Sequence, residues 1–258
     1  MADTPAAGAP AADAETSGGI RPAYYAARQG PWRDWWTLLH PPYTAWHLSY
    51  VVLGAVLAPH VKLVPLIATL LAFFLAVGLA AHALDEFHGR PLQTRIPGGV
   101  LLAVTVLGLG GAIGLGVAGV LRVGWVLIPF LLAGPLLVVA YNAELFGGIV
   151  HTDAGFAAAW GAFPLVTSYV AQTGTLSVGS VLAGAAAFGL SAAQRSLSTP
   201  ARIVRRRSTS VTGRITLTDG DALVLDADRL LAPLERALRA MSWSVALLAA
   251  AFAVARLG

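Results

Sequence analysis

Residues 63–84 and 98–121 pass without one charged side chain, and residues 123–142 do the same. About 18–20 consecutive apolar residues are enough to cross the ~30 Å hydrocarbon core of a bilayer as an α-helix. In hydrocarbon a spanning segment must satisfy its own backbone donors and acceptors, so runs of this length leave only a helical membrane fold. A transmembrane barrel needs short alternating segments instead. Composition agrees: 12% of the 258 residues are charged and the mean hydropathy is +0.71, against roughly 25% charged in a soluble domain. An ordinary cytosolic enzyme, a disordered chain and a nucleic-acid-binding domain are thereby excluded. With no cysteine, the chain can form no disulfide, thiolate metal site or cysteine nucleophile.

Seven spans are expected, at 43–59, 63–84, 98–121, 123–142, 154–172, 178–194 and 240–257. The predicted fold is an all-α polytopic helix bundle. Residues 42–194 form its six-span core and 240–258 its seventh span. Abundant Gly and Ala suit close helix packing in lipid. Residues 1–19 hold small and polar residues with three acids and nothing to bury, so a disordered tail is expected. Residues 20–41 mix Tyr24, Tyr25, Trp32, Trp35 and Trp36 with Arg21, Arg28 and Arg33. That mixture fits a segment lying in the head-group layer. Arg21, Arg28, Arg33, Arg90, Arg95 and the arginines from Arg195 to Arg239 fall on one side of this topology. Lys62, Arg122 and Arg256 fall on the other. Positive-inside counting then puts the N-terminus in the cytosol and the C-terminus outside. The expected location is a bacterial inner membrane.

Residues 195–239 read as an Arg-rich cytosolic connection. Arg195, Arg202, Arg205, Arg206 and Arg207 can attract anionic lipid or clamp a phosphorylated substrate. Alternating runs around Asp219 and Gly220 predict a β-hairpin, followed by a short helix near 228–239.

Ionisable residues at or in spans are costly and mark function. Five of the six histidines, His40, His47, His82, His88 and His151, fall on the arginine-rich side. So do the acids Asp85, Glu86, Glu144 and Asp153. His82 shares a helix face with Asp85 and Glu86 at spacings of three and four. Glu86 lies ~100° further round than Asp85. Glu144 and His151 share a face only if a helix runs through Gly147 and Gly148. A His and a carboxylate one turn apart can present two ligands to one metal. Imidazole with carboxylate suits iron, zinc or manganese, and carboxylate alone suits magnesium. The expected metal ligands are His82, Asp85, Glu86, Glu144 and His151, with His40, His47 and His88 as further ligands or as residues that orient them. His82, Asp85, Glu144 and His151 would meet at ~2.0–2.2 Å from one ion. Thr152 or Asp153 is expected to cap the fifth span.

The order of these features resembles the UbiA superfamily of intramembrane prenyltransferases. The first span, from His40, Pro41 and Pro42 to Gly54 and Ala55, is similar to the family's first helix. His82, Asp85, Glu86, Gly89 and Arg90 stand where its first Asp-rich motif lies. Tyr169, Gln172, Thr173 and Gly174 resemble a segment of the menaquinone-type branch. Ala81 and His82 replace the Asn and Asp that open the first motif, and residues 191–200, where the second motif belongs, contain no acid. The family has nine spans, against seven here.

The resemblance implies a membrane enzyme with a lipid-facing cavity and no role in nucleic-acid binding. One reading is a His/carboxylate metal enzyme acting on an isoprenoid, quinone or other lipid. A second is a divergent magnesium-dependent prenyltransferase in which Arg90, Arg95, Arg195 and Arg202 bind the diphosphate. A third is a non-catalytic lipid-binding or membrane-complex assembly protein.

Overall fold

A computed structural model describes residues 25–26 and 30–258. The expected tail 1–19, and Arg21, Tyr24 and Arg28 of the head-group segment, lie outside the described residues. The helices are α1 (Pro31–Leu39), α2 (Pro41–Val56), α3 (Leu63–Gly89), α4 (Gly98–Val123), α5 (Trp125–Asn142), α6 (Asp153–Thr173), α7 (Val178–Arg207) and α8 (Ala227–Leu257). Strands β1 (Gly213–Thr216) and β2 (Ala222–Leu225) pair antiparallel between α7 and α8, with Ile215 opposite Leu223. The hairpin turns at Gly220, where φ is 92°, a conformation that Gly adopts without a Cβ clash.

Five helices, α3, α4, α5, α6 and α8, are long and apolar enough to cross a membrane. Helix α2 has 16 residues and is short for a span, and α7 mixes Gly, Ser, Gln and Arg into its 30 residues. Outward-facing Leu107, Leu121, Leu132, Leu247 and Val254 are more than half exposed, a surface suited to acyl chains. On α1 the outward residues are Trp32 and Trp36, while Leu38 is buried against Ala83, Ile96 and Leu101. This part of the head-group segment is therefore an amphipathic helix resting on the ends of α3 and α4.

Two boundaries differ from the sequence expectation. Helix α7 does not stop near residue 194 but runs to Arg207 through Pro200. The expected Arg-rich connection is thus helix up to that point. Hydropathy falls at Gln194 and Arg195, but helix propensity does not, because Ala, Gln, Arg and Leu remain good formers. Likewise the expected short helix and seventh span are one helix, α8, begun by Asp226, whose Oδ1 accepts from the Arg229 N–H at 2.7 Å.

Close packing of α2, α6, α7 and α8 forms one core. Trp46, Tyr50, Leu165, Ala187 and Val245 meet there. Trp46 Nε1 donates to the Tyr50 hydroxyl at 2.6 Å, and Ser191 Oγ donates to the same oxygen at 3.2 Å. These bonds satisfy polar atoms that the apolar surroundings would otherwise leave unpaired. A second core joins α3, α5 and α6 through Val77, Val138, Tyr141, Ala159 and Trp160. Helices α3 and α6 each contain a widened π-helical segment, Phe74–Ala81 and Ala158–Ala162.

The two ends of the bundle differ. At one end Gln172, almost fully buried, accepts from the Lys62 N–H at 2.7 Å and donates to its carbonyl at 3.1 Å. Arg256 donates to the carbonyls of Ala58 and Pro59 at 2.5 and 2.9 Å. Gly174, at φ 73°, ends α6 there. Gln172, near the end of the 169–174 segment, therefore clamps the loop at Lys62. The opposite end carries α1, residues 90–97, residues 143–152 and the arginines of α7.

A Cβ at Gly54 would overlap the Leu165 carbonyl, so α2 and α6 touch backbone to backbone. Gly54→Leu should lower the unfolding free energy by about 3 kcal/mol, read as a lower melting temperature in detergent. The same change at Gly110, where a Cβ meets nothing, should leave it unchanged.

Candidate functional site

At the arginine-rich end a polar cavity of about 160 Å³ lies between α2, α3, α6, α7 and the 141–153 region. Its walls include His40, His47, His82, Asp85 and His151 from the sequence-based set. Separate segments do deliver imidazole and carboxylate to one place.

The backbone holds each ring. His40 Nδ1 donates to Leu38 O, His47 Nδ1 to Trp160 O and His151 Nδ1 to Tyr141 O, each at 2.8 Å, and His82 Nδ1 donates to Gly78 O at 3.2 Å. A carbonyl only accepts, so Nδ1 carries a proton, and in the neutral ring Nε2 keeps its lone pair. Two of these carbonyls belong to the π-helical segments, where the wider turn loosens the ordinary backbone ladder. The rings also stack: His40 on His82 at 4.4 Å between centroids, and His151 on Tyr141 at 4.4 Å. Tyr25 covers His40 and Tyr43.

The facing wall is one side of α7. Arg195, Arg202, Arg205 and Arg206 line the cavity, with Gln194 and Ser198. Spacings of seven, three and one bring them to one side of a continuous helix. Arg195 Nε pairs with Asp153 Oδ1 at 2.8 Å, and its guanidinium lies 5.2 Å from the Phe156 ring centre. Buried Arg205 lies 3.4 Å from Glu235 of α8. Arg202 donates to Thr199 Oγ1. Among the described residues neither Arg202 nor Arg206 has an ion-pair partner. Only Arg195 and Arg202 of the expected anion-binding set line the cavity; Arg205 and Arg206 complete it. Their place was legible in the spacing only to a reader who carried the helix past residue 194.

The other expected site residues sit elsewhere. Glu86 is fully buried but turned away, and accepts from the Leu92 N–H, the Thr94 N–H and the Thr94 hydroxyl at 2.8–2.9 Å. It anchors the 90–97 loop. Arg90 donates to Thr94 O and Ile96 O in the same loop. The Arg95 side chain is exposed, while its N–H donates to buried Asp34 at 2.9 Å. Sequence reading passed over that aspartate. His88 is exposed. Glu144 does not share a helix face with His151, because residues 144, 146 and 147 have positive φ. Its side chain is largely exposed and lies 3.9 Å from His151 Nδ1. Thr152 caps α6 by accepting from the Gly155 N–H at 2.9 Å, as expected.

The carbonyl-anchored tautomer leaves Nε2 available, which is how metal-ligating histidines are commonly oriented. Yet among the described residues no three His, Asp or Glu side chains gather as ligands for one ion. The rings of His40 and His82 lie 4.4 Å apart between centroids and are tilted by 30°. The imidazoles form a lining.

An apolar groove of about 600 Å³ runs between α3, α4, α5 and α6. Val77 and Trp160 belong to the walls of both groove and polar cavity. From Val77 the groove follows α3 back to Val64, a length of ~20 Å at 1.5 Å per residue.

Comparison with protein-family models, with curated proteins and with solved structures finds no match to this chain.

His40 lies between α1 and α2 at φ 46°. Burial first, then the adjacent His82 ring, hold it well below the usual imidazole range, against the bond to Leu38. The unfolded chain takes up a proton below pH ~6.5 that folded His40 refuses. Its contribution to stability is therefore whole above that pH and shrinks as the pH falls. The melting temperature in detergent should drop between pH 7.5 and 5.5. His40→Asn, compatible with this φ, should lessen the drop.

Proposed function

We propose that this protein is an integral membrane enzyme acting on the phosphorylated head of an isoprenoid or related lipid. The head would occupy the polar cavity and the chain the apolar groove. One observation carries the reading: four arginines of α7 line a cavity that borders a long apolar groove at Val77 and Trp160. Clustered cations in a half-buried site need counter-charge. Asp153 and Glu235 pair with Arg195 and Arg205; Arg202 and Arg206 share the cavity with Asp85 but form no ion pair at contact distance among the described residues, which leaves their donors for a ligand. Phosphate or diphosphate is the natural partner of guanidinium groups.

The helix order supports a UbiA-like bundle of seven spans, with α2 and α7 as the two less apolar ones. Positive-inside counting supports a cytosolic cavity and a C-terminus on the far side. In a prenyl-transfer reaction, Arg202 and Arg206 would stabilise the charge that develops on a departing diphosphate. The four neutral imidazoles would offer bases for a proton released from an acceptor.

Binding of farnesyl diphosphate to detergent-purified protein tests this, with and without a chelator. Arg202→Gln should weaken binding about tenfold or more, the worth of one charge-assisted hydrogen bond, with the melting temperature unchanged. Stoichiometric iron, zinc or manganese in the purified protein would move the reading to a metal enzyme. Tight binding without turnover of any acceptor would move it to a lipid-binding protein.

Gly134 lies on the groove wall, where a Cβ would meet the Phe163 ring at ordinary contact distance, 3.6 Å. A larger side chain must enter the groove. Gly134→Phe should weaken farnesyl diphosphate binding several-fold and leave isopentenyl diphosphate, whose chain is short, unaffected.

A further inference from the structure

The polar cavity has two chemically opposed walls. The α7 wall is led by guanidinium groups, which only donate hydrogen bonds, with Gln194 and Ser198 among them. The opposite wall, from α2, α3 and the 141–153 region, is rich in acceptors, interspersed with the Tyr43 and Tyr141 hydroxyls and the Asn142 amide, which can also donate. Each of His40, His47, His82 and His151 spends its one N–H on a backbone carbonyl, so Nε2 can only accept. Asp85 adds a carboxylate on the same side.

A bare phosphate satisfies the arginines but brings no donor to the other wall, where the imidazole lone pairs and the Asp85 carboxylate stay unmatched. A single cation satisfies few of the imidazoles, since no three of these groups gather at one point among the described residues. Acceptors spread over a wall are matched by donors spread over a ligand. Hydroxyl groups beside a phosphate have that arrangement.

We infer that the cavity takes a hydroxylated phosphate, a sugar or polyol phosphate, with its oxyanion on the α7 arginines and its hydroxyls donating to the imidazole Nε2 atoms. This rests on the proposed anionic-head site and names its chemistry more closely. The group is the head of a lipid or a water-soluble partner, and the chemistry at the walls is the same for both.

The test is titration calorimetry on the detergent-purified full chain at pH 7.5 with a chelator present. The probes are glucose 1-phosphate and cyclohexyl phosphate, a ring of the same size without hydroxyls. Glucose 1-phosphate should bind about tenfold more tightly, the worth of one or two net hydrogen bonds. His82→Asn and His151→Asn keep an N–H for the carbonyl and remove the Nε2 acceptor. Each should bring glucose 1-phosphate toward the affinity of cyclohexyl phosphate and leave cyclohexyl phosphate unchanged. Arg202→Gln should weaken both ligands equally. Dodecyl phosphoglucose distinguishes the sources. Tighter binding than glucose 1-phosphate, lost in Gly134→Phe, assigns the group to a lipid head, and equal binding assigns it to a soluble partner. Equal affinity for glucose 1-phosphate and cyclohexyl phosphate overturns the inference, as does a preference that both Asn variants keep or that needs a divalent cation. Binding of neither phosphate overturns the anionic-head reading as well, a different result from equal binding of both.

Discussion

A polar group in hydrocarbon must find its partner inside the protein, and backbone carbonyls free to accept are scarce there because helices use their own. In this bundle the π-helical segments of α3 and α6 loosen that arrangement where the cavity begins. Gly78 O and Trp160 O become acceptors for His82 and His47. The other two rings use carbonyls at helix ends, Leu38 and Tyr141, where the last turn always leaves carbonyls unused. Irregular backbone is thus the means by which four neutral imidazoles are held in an apolar surrounding. It fixes their tautomer and hence what the site can recognise.

The arginines solve the opposite difficulty. A charge cannot be made neutral by choice of tautomer, and guanidinium does not deprotonate, so α7 has to be compensated from its neighbours. Asp153 at the start of α6 and Glu235 on α8 each take one arginine. These pairs tie α7 to both flanking helices, and the same contacts that hold the helix in place set the direction of its arginine side. Arg202 and Arg206, which form no ion pair at contact distance among the described residues, line the cavity together with Asp85.

The membrane character and the helix positions were legible because hydropathy over 20 residues is a strong signal, and the hairpin was legible from Asp219 and Gly220. That His40, His47, His82, Asp85 and His151 fall at one end was legible from topology, since even numbers of crossings separate them; which of them share one cavity was not. The sequence does not show which carboxylates turn inward. Glu86 and Asp85 are neighbours, yet Glu86 is consumed by the 90–97 loop, where it accepts from the Leu92 and Thr94 N–H groups. Nor does it show that polarity can rise along a helix without ending it. That is why Arg195 to Arg207 read as a connection, and why Arg205 and Arg206 stayed open between a lipid-attracting patch and a substrate clamp.

The two ends of the bundle use their polar groups in different ways. At the far end Gln172 and Arg256 use their polar atoms on the 58–62 loop, and each such bond closes the bundle and leaves nothing for a ligand. At the near end the equivalent groups are spent differently. Each imidazole uses one nitrogen for the fold and keeps the other, and two of the four arginines form no ion pair among the described residues. A bundle made only of apolar contacts would have little reason to prefer one helix arrangement over another in lipid. Here the polar contacts at both ends fix the arrangement, and the difference between fully spent and half-spent polar groups separates the clamp from the site.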